Sequence, residues 1–230
     1  MDLLPADTTL DAHDRSTAIA LLPIGSFEQH GPYLPLTTDT LVASTIAAEL
    51  ATVYPVFRLP PITISCSHEH AAWAGTVSIS ATTLAAIVRD VAASVQHAGV
   101  RTLVLVNGHG GNYVLGNVVQ EASVGRQRMV LFPTEPDWDD ARAEAGLATT
   151  GLSDMHAGEL ETSILLHALP DLVRPGYERA DHLADDRRYL LARGMQAYTE
   201  SGVVGRPSAA SAEKGRAVLA SLVRSFAGHL

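Results

Sequence analysis

The chain has 230 residues, 47% of them hydrophobic and 18% charged, which is the composition of an ordinary globular protein with a sizeable core. Its formal net charge is −9 and it has no basic run longer than Arg187-Arg188, which argues against a nucleic-acid partner, because phosphate binding needs clustered Lys and Arg. One cysteine excludes an internal disulfide, the start of the chain lacks a signal-peptide pattern, and no apolar run reaches the ~20 residues that span a bilayer, so we expect a cytoplasmic protein with no membrane partner.

Short apolar segments that favour strands alternate along the chain with amphipathic segments that favour helices, within one domain over residues 1–230. The predicted strands cover residues 18–24, 56–59, 62–65, 102–106 and 129–132. The predicted helices cover 41–51 after a Thr40 cap, 80–99 with a Ser80 cap, a segment after an Asn112 cap, 159–169, and a last segment capped near Ser211. The stretch 134–146 is predicted to be a surface loop or a short helix. This alternation predicts parallel βαβ units, in which ligands bind outside the carboxyl ends of the strands.

The first group of chemically capable residues follows the first predicted strand. Glu28 and His30 are two residues apart, so in extended backbone their side chains point to the same side. A glycine and two prolines make the connection to Asp39 a rigid loop that can fold a second carboxylate back. Glu, His and Asp together are donors that Zn, Mn or Fe take. The alternative is three polar loop residues in water.

A second group, NGHGGN at residues 107–112, follows the clearest predicted strand. His109 is surrounded by glycines, so packing neighbours do not explain it. Glycines let backbone approach a ligand closely or take positive φ. An alternative is a loop that cradles phosphate at a helix N-terminus, although the segment matches neither GxGxxG nor a P-loop with its lysine.

A third group, DMHAGELETS, places His156, Glu159 and Glu161 at the start of an apolar helix. The helix dipole favours acids in a first turn, and capping alone explains Glu159. Glu161 shares its predicted helix face with Ile164 and Leu165, which would bury it. A buried carboxylate needs a partner, and a metal ion would serve.

A fourth group, SCSHEHAAWAGT, contains the only cysteine. Cys66 with a neighbouring histidine would make a nucleophile pair, but no oxyanion-hole element is evident, which favours a small buried thiol. His70 and Trp73 are candidates for lining a pocket. The absence of a GxSxG segment removes support for a serine hydrolase.

Together these segments resemble the creatininase (creatinine amidohydrolase) family, from about residue 21 to residue 215. The motifs that carry the resemblance are, in this order, LPIGSFEQHGPYLPLTTD, SHEHAAWAGT, VNGHGGN and DMHAGELETS. The resemblance implies a three-layer, doubly wound α/β fold, with a mostly parallel sheet and helices on both faces. It also implies a binuclear site for two divalent metal ions (Zn, Mn or Fe) and a homo-oligomer, with a hexamer as one form.

Carried over by motif, the resemblance implies a ligand set in which Asp39 bridges both metals. In the creatininase proper, a glutamate two residues after the loop histidine binds the second metal. That position is Gly111 here, as in an NGHGGN branch of the family, and Glu161 is the expected replacement. The implied metal ligands are Glu28, His30, Asp39, His109 and Glu161.

The implied reaction is hydrolysis of a C–N bond other than a peptide bond (an amide, cyclic amide or formamide) in a small molecule, by a hydroxide that bridges the metals. His156 resembles the family's catalytic histidine, and Glu159 or Asp154 is expected to orient it. The residues expected to contact the substrate are His70, Trp73, Gly110 and Asn112.

Gly111 argues against creatinine itself as the substrate. Relatives in the family include a formamidopyrimidine nucleotide deformylase and a peptidase that trims the mycofactocin precursor, so the resemblance indicates the reaction type better than the substrate. Three alternatives stay open: a metallopeptidase, a non-catalytic metal- or ligand-binding protein on the same fold, and an enzyme that uses the glycine-rich loop for a phosphate ligand.

Overall fold

The computed structural model describes residues 3–15, 17–124 and 128–230 of the chain, in which strands and helices alternate as the hydrophobic pattern predicts. The strands are β1 (Ile19–Ile24), β2 (Phe57–Arg58), β3 (Thr102–Asn107) and β4 (Arg128–Phe132). The helices are α1 (Thr9–Arg15), α2 (Thr38–Val53), α3 (Ala81–His97), α4 (Val114–Ser123), α5 (Glu135–Glu144), α6 (Glu159–Ala168), α7 (Leu190–Arg193) and α8 (Ala212–Ser225). No helix in these ranges has both the length and the apolar character needed to cross a bilayer.

The described strands form one parallel sheet in the order β2-β1-β3-β4. The chain runs from β1 to β2 on one side and then crosses to β3 on the other side of β1, so the strand order reverses at β1. Ile24 pairs with Asn107, and β1 and β3 therefore end at the same level. In a doubly wound sheet, a crevice opens between two such carboxyl ends.

Both faces of the sheet are covered by helices. Side chains alternate between the faces along a strand. Leu21 and Val104 pack in the cluster formed with α2, α6 and α8, whereas Leu22 and Leu105 pack in the cluster formed with α3 and α4. Burial on both faces explains the continuous apolar run of β1. The predicted three-layer α/β fold is confirmed.

The start of α2 differs from its prediction. The helix begins at Thr38 with Thr37 in the N-cap position, three residues before the predicted cap. The Thr40 hydroxyl instead donates to the carbonyl oxygen of Ser26 at 3.2 Å. This bond ties the first turn of α2 to the loop that follows β1, and the prediction of a Thr40 cap is therefore wrong.

The caps of the later helices are mostly as predicted, and one strand is not. The side chains of Ser80 and Ser211 accept backbone N–H groups at the starts of α3 and α8, which confirms both caps. Residues 62–65 do not form a strand, and only Ile62 pairs, in a single bridge with Ile24. Pro60-Pro61 directly precede this segment and lack the N–H groups that extend a ladder.

Helix α5 settles the open assignment of residues 134–146 in favour of a helix, and Asp137 supports its start. Asp137 Oδ2 accepts the N–H and the hydroxyl of Thr134 at 2.8 and 2.6 Å and lies 3.0 Å from His229 Nε2. Burial alone raises the pKa of Asp137, but the hydrogen bonds from Thr134 outweigh it and hold the pKa below its ordinary value of 3.8.

The lowered pKa of Asp137 predicts a pH-dependent stability. A carboxylate whose folded pKa is depressed contributes stability above its unfolded pKa and loses it as the pH falls through the folded pKa. We expect Asp137→Asn to destabilise the protein by about 1–2 kcal/mol at pH 7, the range for loss of a helix cap. The difference from wild type should shrink below about pH 4. Urea unfolding at several pH values measures this, and a difference that stays constant down to about pH 3 would contradict it.

Candidate metal centre

The loops after β1 and β3 meet the first turns of α2 and α6 at one edge of the sheet. Glu28 and His30 lie on the loop after β1, and His109 lies on the loop after β3. Asp39 and Glu161 lie in first helical turns, where the helix dipole favours an ionised carboxylate. The first four are at most 5% exposed, and the Glu161 side chain is 16% exposed. The structure thus brings all five predicted metal ligands together.

Gly108 explains why glycines surround the loop histidine. A Cβ at Gly108 would lie 2.3 Å from the carbonyl oxygen of Asp39, so only glycine lets this loop approach α2 so closely. His109 Nε2 donates to the carbonyl oxygen of Cys66 at 2.8 Å, which leaves His109 Nδ1 2.9 Å from Asp39 Oδ2. Close approach of His109 to Asp39 therefore accounts for the glycine, and the phosphate-cradle alternative loses its main support.

Asp39 has the geometry of a bridging carboxylate. Its Oδ1 lies 3.0 Å from His30 Nε2 and its Oδ2 lies 2.9 Å from His109 Nδ1, so the two oxygens face different histidines. Ser26 Oγ also donates to Oδ2 at 2.6 Å. Burial alone would raise the pKa of Asp39, but His30 and His109 outweigh it and hold the pKa well below its ordinary value. Asp39 is therefore ionised at neutral pH.

Glu28 indicates that these residues fit metal ions. It is fully buried, and within the described part of the chain neither carboxylate oxygen accepts a hydrogen bond of good geometry, although His70 Nε2 and His109 Nε2 lie 3.2 and 3.3 Å away. Burial raises the pKa of Glu28 to about 7. A buried carboxylate without well-aligned donors is costly, and a cation compensates for that cost. The donor atoms come within 4.8 Å of one another in three sets: Glu28, Asp39 and His109; His30, Asp39 and Glu161; and Glu28, His30 and His156.

His156 borders the same cluster and has one free ring nitrogen. Its Nε2 donates to the carbonyl oxygen of Gln29 at 2.6 Å, which fixes the proton on that nitrogen. Its Nδ1 lies 3.8 Å from Glu28 Oε1. Burial, together with the nearby positive charge of His30, holds the pKa of His156 well below its ordinary value. His156 is therefore neutral, with Nδ1 as an acceptor of a proton or of a metal.

The backbone before α6 aims Glu161 at the centre. Ala157 has a φ of 52°, in the left-handed region that non-glycine residues seldom adopt. In this conformation the Ala157 N–H donates to Glu161 Oε2 at 2.6 Å. The other oxygen, Oε1, lies 3.8 Å from His30 Nε2. The strained residue thus positions a predicted ligand, which is where such strain is commonly found.

The two acids expected to orient His156 are engaged elsewhere. Asp154 caps α6 by accepting the N–H groups of Glu159 and Leu160 and pairs with Arg142 at 3.0 Å. The carboxylate of Glu159 accepts hydrogen bonds from the 148–149 loop and from Lys214 Nζ, the latter at 2.5 Å. The structure gives neither acid a contact with His156, and the Gln29 carbonyl orients the ring instead.

These contacts predict a structural role for Glu159. We expect Glu159→Gln to lower the free energy of unfolding by about 2–4 kcal/mol, because it weakens a buried ion pair and several hydrogen bonds. Metal content and the activity of the folded protein should stay unchanged. Urea unfolding, metal analysis and an activity assay measure these effects, with Glu161→Gln, two residues away, as a contrast that should lose metal. A loss of activity of about 100-fold at unchanged stability would instead indicate an acid–base role.

His70 and Trp73, predicted to contact the substrate, lie on one side of the centre. The His70 side chain is only 2% exposed, and its Nε2 lies 3.2 Å from Glu28 Oε1. Its ring thus contacts the carboxylate of a predicted ligand and also lines a cavity of about 100 Å³ at the centre. Trp73 is half-buried, and its ring centroid lies 6.3 Å from that of His70.

The other two predicted substrate contacts also differ from each other. Asn112 is buried: its Nδ2 donates to Asn107 Oδ1 at 3.0 Å and its Oδ1 accepts the N–H of Cys66 at 3.2 Å. It holds two loops together, and Tyr113 takes the N-cap position of α4, so the Asn112 cap is wrong. Gly110 is exposed and open to the cavities at the centre.

Cys66 is buried, as expected for a small structural thiol. Burial also raises the pKa of this thiol, which disfavours the thiolate that a nucleophile needs.

Glu69 is a site residue that the sequence analysis missed. Its Oε1 lies 3.6 Å from His109 Nε2. A Cβ at Gly111 would lie 2.1 Å from the same Oε1, so Glu69 fills the space that a side chain at position 111 would need. Glu69 directly precedes His70 in the SHEHAAWAGT motif, and its position next to a predicted site residue could have identified it from sequence.

Two cavities reach the cluster. A cavity of about 100 Å³ touches Asp39, His109, His156 and Glu161. A larger cavity of about 680 Å³ opens beside His109 and Glu161. Its other walls include Trp138, Leu152 and Met155. The candidate metal-binding residues therefore border a space of ordinary ligand-site size.

Comparisons with known proteins agree on one family. A family model described as creatininase, creatinine amidohydrolase, matches residues 6–230. The mycofactocin precursor peptide peptidase of Mycobacterium ulcerans is 37% identical over 217 residues, which cover 88% of this chain and 80% of that protein. Creatinine amidohydrolase of Pseudomonas putida is 26% identical over 174 residues, covering 67% and 66%. A solved structure described as "Creatininase Mn" matches with a TM-score of 0.83 and 24% identity, covering 97% of this chain and 95% of that one.

Proposed function

The chain belongs to the creatininase (creatinine amidohydrolase) family of hydrolases, and from this premise we propose that it cleaves an amide-type C–N bond at a centre for two divalent metal ions. One observation carries the proposal. Asp39 turns one carboxylate oxygen to His30 and the other to His109, beside a buried Glu28 whose carboxylate accepts no hydrogen bond of good geometry from the described residues. Two donor sets that share Asp39 are what a binuclear site requires.

Five residues would hold the ions. Glu28, Asp39 and His109 form one set, and His30, Asp39 and Glu161 form the other. Mixed imidazole and carboxylate donors suit Zn, Mn or Fe, and one structural neighbour is described as "Creatininase Mn". When bound, such ions supply Lewis acidity and an activated water at neutral pH.

His156 is the proposed proton carrier. Its Nε2–H is held by the Gln29 carbonyl at 2.6 Å, so Nδ1 is the atom that accepts a proton from the attacking water and delivers it to the leaving nitrogen. The low pKa of His156 keeps Nδ1 unprotonated before the reaction. A neutral, oriented imidazole is the usual form of a general base.

Two observations favour the end of a peptide over the non-peptide C–N bond expected from the sequence. The relative from Mycobacterium ulcerans, 37% identical, is named a peptide peptidase. The cavity beside Glu161 and His109, of about 680 Å³, is larger than a single small heterocycle needs. We therefore propose a peptide-end substrate first and a small cyclic amide or formamide second.

Elemental analysis with parallel activity assays tests the proposed function. We expect roughly two Zn, Mn or Fe ions per chain, as in other binuclear hydrolases. The assays compare creatinine, a formamidopyrimidine nucleotide and short peptides with free ends, and product analysis shows which bond is cut. A protein that stays metal-free after incubation with each ion would overturn the proposal. A protein that binds metal but cleaves none of these classes would favour the non-catalytic alternative.

A further inference from the structure

We propose that Gln29 and His70 form a positioning relay that holds the ligand carboxylate of Glu28, a role that rests on the proposed function of Glu28 as a metal ligand. His70 thereby acts on the metal centre through Glu28. The relay follows from three adjacent groups whose hydrogen-bonding directions are fixed one after another, starting from the protein backbone.

The first step is the orientation of the Gln29 side-chain amide. Its Oε1 accepts the N–H of Gly31 at 3.0 Å, and its Nε2 donates to the carbonyl oxygen of Gly202 at 3.1 Å. A backbone N–H can only donate and a carbonyl can only accept, so these two partners determine which end of the amide is nitrogen. Gln29 is 4% exposed, and water does not compete for either end.

The second step is the tautomer of His70. Gln29 Nε2 lies 2.9 Å from His70 Nδ1. Since the amide nitrogen can only donate, Nδ1 must accept, and the ring proton of neutral His70 is on Nε2. That nitrogen lies 3.2 Å from Glu28 Oε1. His70 therefore presents an N–H to a carboxylate oxygen.

The third step is the hydrogen-bond donor that His70 offers to the Glu28 carboxylate. The Glu28 side chain is fully buried, and its oxygens lack a hydrogen bond of good geometry within the described residues, the contact with His70 included. The His70 Nε2, 3.2 Å from Oε1, is a donor that can hold this carboxylate. Ligand carboxylates are commonly held in this way, and removal of such a partner weakens metal binding.

Gly202 shows that the surrounding fold is built around the Gln29 amide. A Cβ at Gly202 would lie 1.7 Å from Gln29 Oε1, and its φ of 88° also disfavours a side chain. The Gly202 N–H is itself held by Thr199 Oγ1 at 3.1 Å. The loop that carries the anchoring carbonyl is thus held by its own hydrogen bond and by close packing against the Gln29 amide, as expected of an orienting group.

Metal affinity tests the relay without an activity assay. The dissociation constant for Zn is measured by competition with a chromophoric chelator in wild type, His70→Phe and His70→Gln. We expect His70→Phe to bind Zn about 10–100-fold more weakly. His70→Gln should recover most of the affinity, because its amide can place an N–H near the position of Nε2. His68→Phe is the matched control, since His68 lies two residues away on the same short turn and contacts Ser78 instead.

The outcomes separate the relay from the proposed function. Wild type that binds no metal would overturn the proposed function, whereas wild type and His70→Phe with equal affinity would overturn the relay. Nitrogen NMR of metal-free wild type, with the His70 signals identified by their loss in His70→Gln, decides the matter if His70→Phe does not fold. A neutral Nε2–H tautomer is expected, and a neutral Nδ1–H tautomer would overturn the relay.

Discussion

Asp39→Asn is expected to abolish hydrolysis and to empty both metal positions. Asp39 belongs to both donor sets, and its two oxygens face His30 and His109 at 3.0 and 2.9 Å. Asparagine has the same size but only one acceptor oxygen, and its NH₂ group repels a cation. Activity should fall more than about 1000-fold, beyond the loss of a single oxyanion-stabilising group.

Metal content and thermal stability measure the effect of Asp39→Asn. Wild type should retain metal through dialysis and melt at a higher temperature when Zn is added, because a ligand that binds only the folded state stabilises it. The variant should show neither property. Asp137→Asn is the matched control, since Asp137 is also buried and faces a histidine but lies away from the centre. Two ions retained per chain in Asp39→Asn would contradict a bridging role.

The elements that sequence predicted best are those set by local pattern. The apolar runs gave β1, β3 and β4 to within one residue, and Ser80 gave the start of α3, because these features depend on neighbours a few residues away. The segment 62–65 alternates isoleucine with Thr63 and Ser65, as a strand would, but it follows two prolines and makes only one bridge. Local hydrophobicity could not show that its ladder would stop there.

The residues that meet at the centre could be picked out from sequence because their motifs lie on loops after strands and in first helical turns. The roles of the neighbouring residues Glu159 and His70 could not be found in the same way. Glu159 looked like an orienting acid, but Lys214, 55 residues further along the chain, binds its carboxylate. His70 was predicted to contact the substrate, and sequence could not show that its ring nitrogen is fixed by Gln29, which is itself fixed by Gly202, 173 residues further along the chain.

Gly111, which stands where the creatininase proper has a glutamate, is a second case in which sequence showed only part of the site. Sequence showed that the family's loop glutamate is missing and suggested Glu161 as its replacement. The structure does place Glu161 at the centre, within 3.8 Å of His30. It also shows that the space beside Gly111 is filled by Glu69, which comes from a separate loop. Glu161 and Glu69 therefore both lie in the region where the motif comparison expects a single glutamate.

His156→Gln is expected to separate catalysis from metal binding. The Nε2–H of His156 is committed to the Gln29 carbonyl, and its Nδ1 is unprotonated and 3.8 Å from Glu28 Oε1. Loss of this proton carrier should lower kcat by about 10²–10⁴-fold, the usual contribution of general acid–base catalysis. Metal content should stay at the wild-type level.

If His156 is a metal ligand instead of a proton carrier, His156→Gln should lower the metal content. His156 also belongs to a possible donor set with Glu28 and His30, so a ligand role predicts that His156→Gln loses an ion. His182→Gln is the matched control, because His182 also donates through Nε2 to a backbone carbonyl, that of Tyr198 at 2.7 Å, outside the centre. Elemental analysis and single-turnover kinetics on the three proteins decide between the roles. A variant with full metal content and slow turnover identifies a proton carrier, whereas a variant depleted in metal identifies a ligand and leaves the proton transfer to another group.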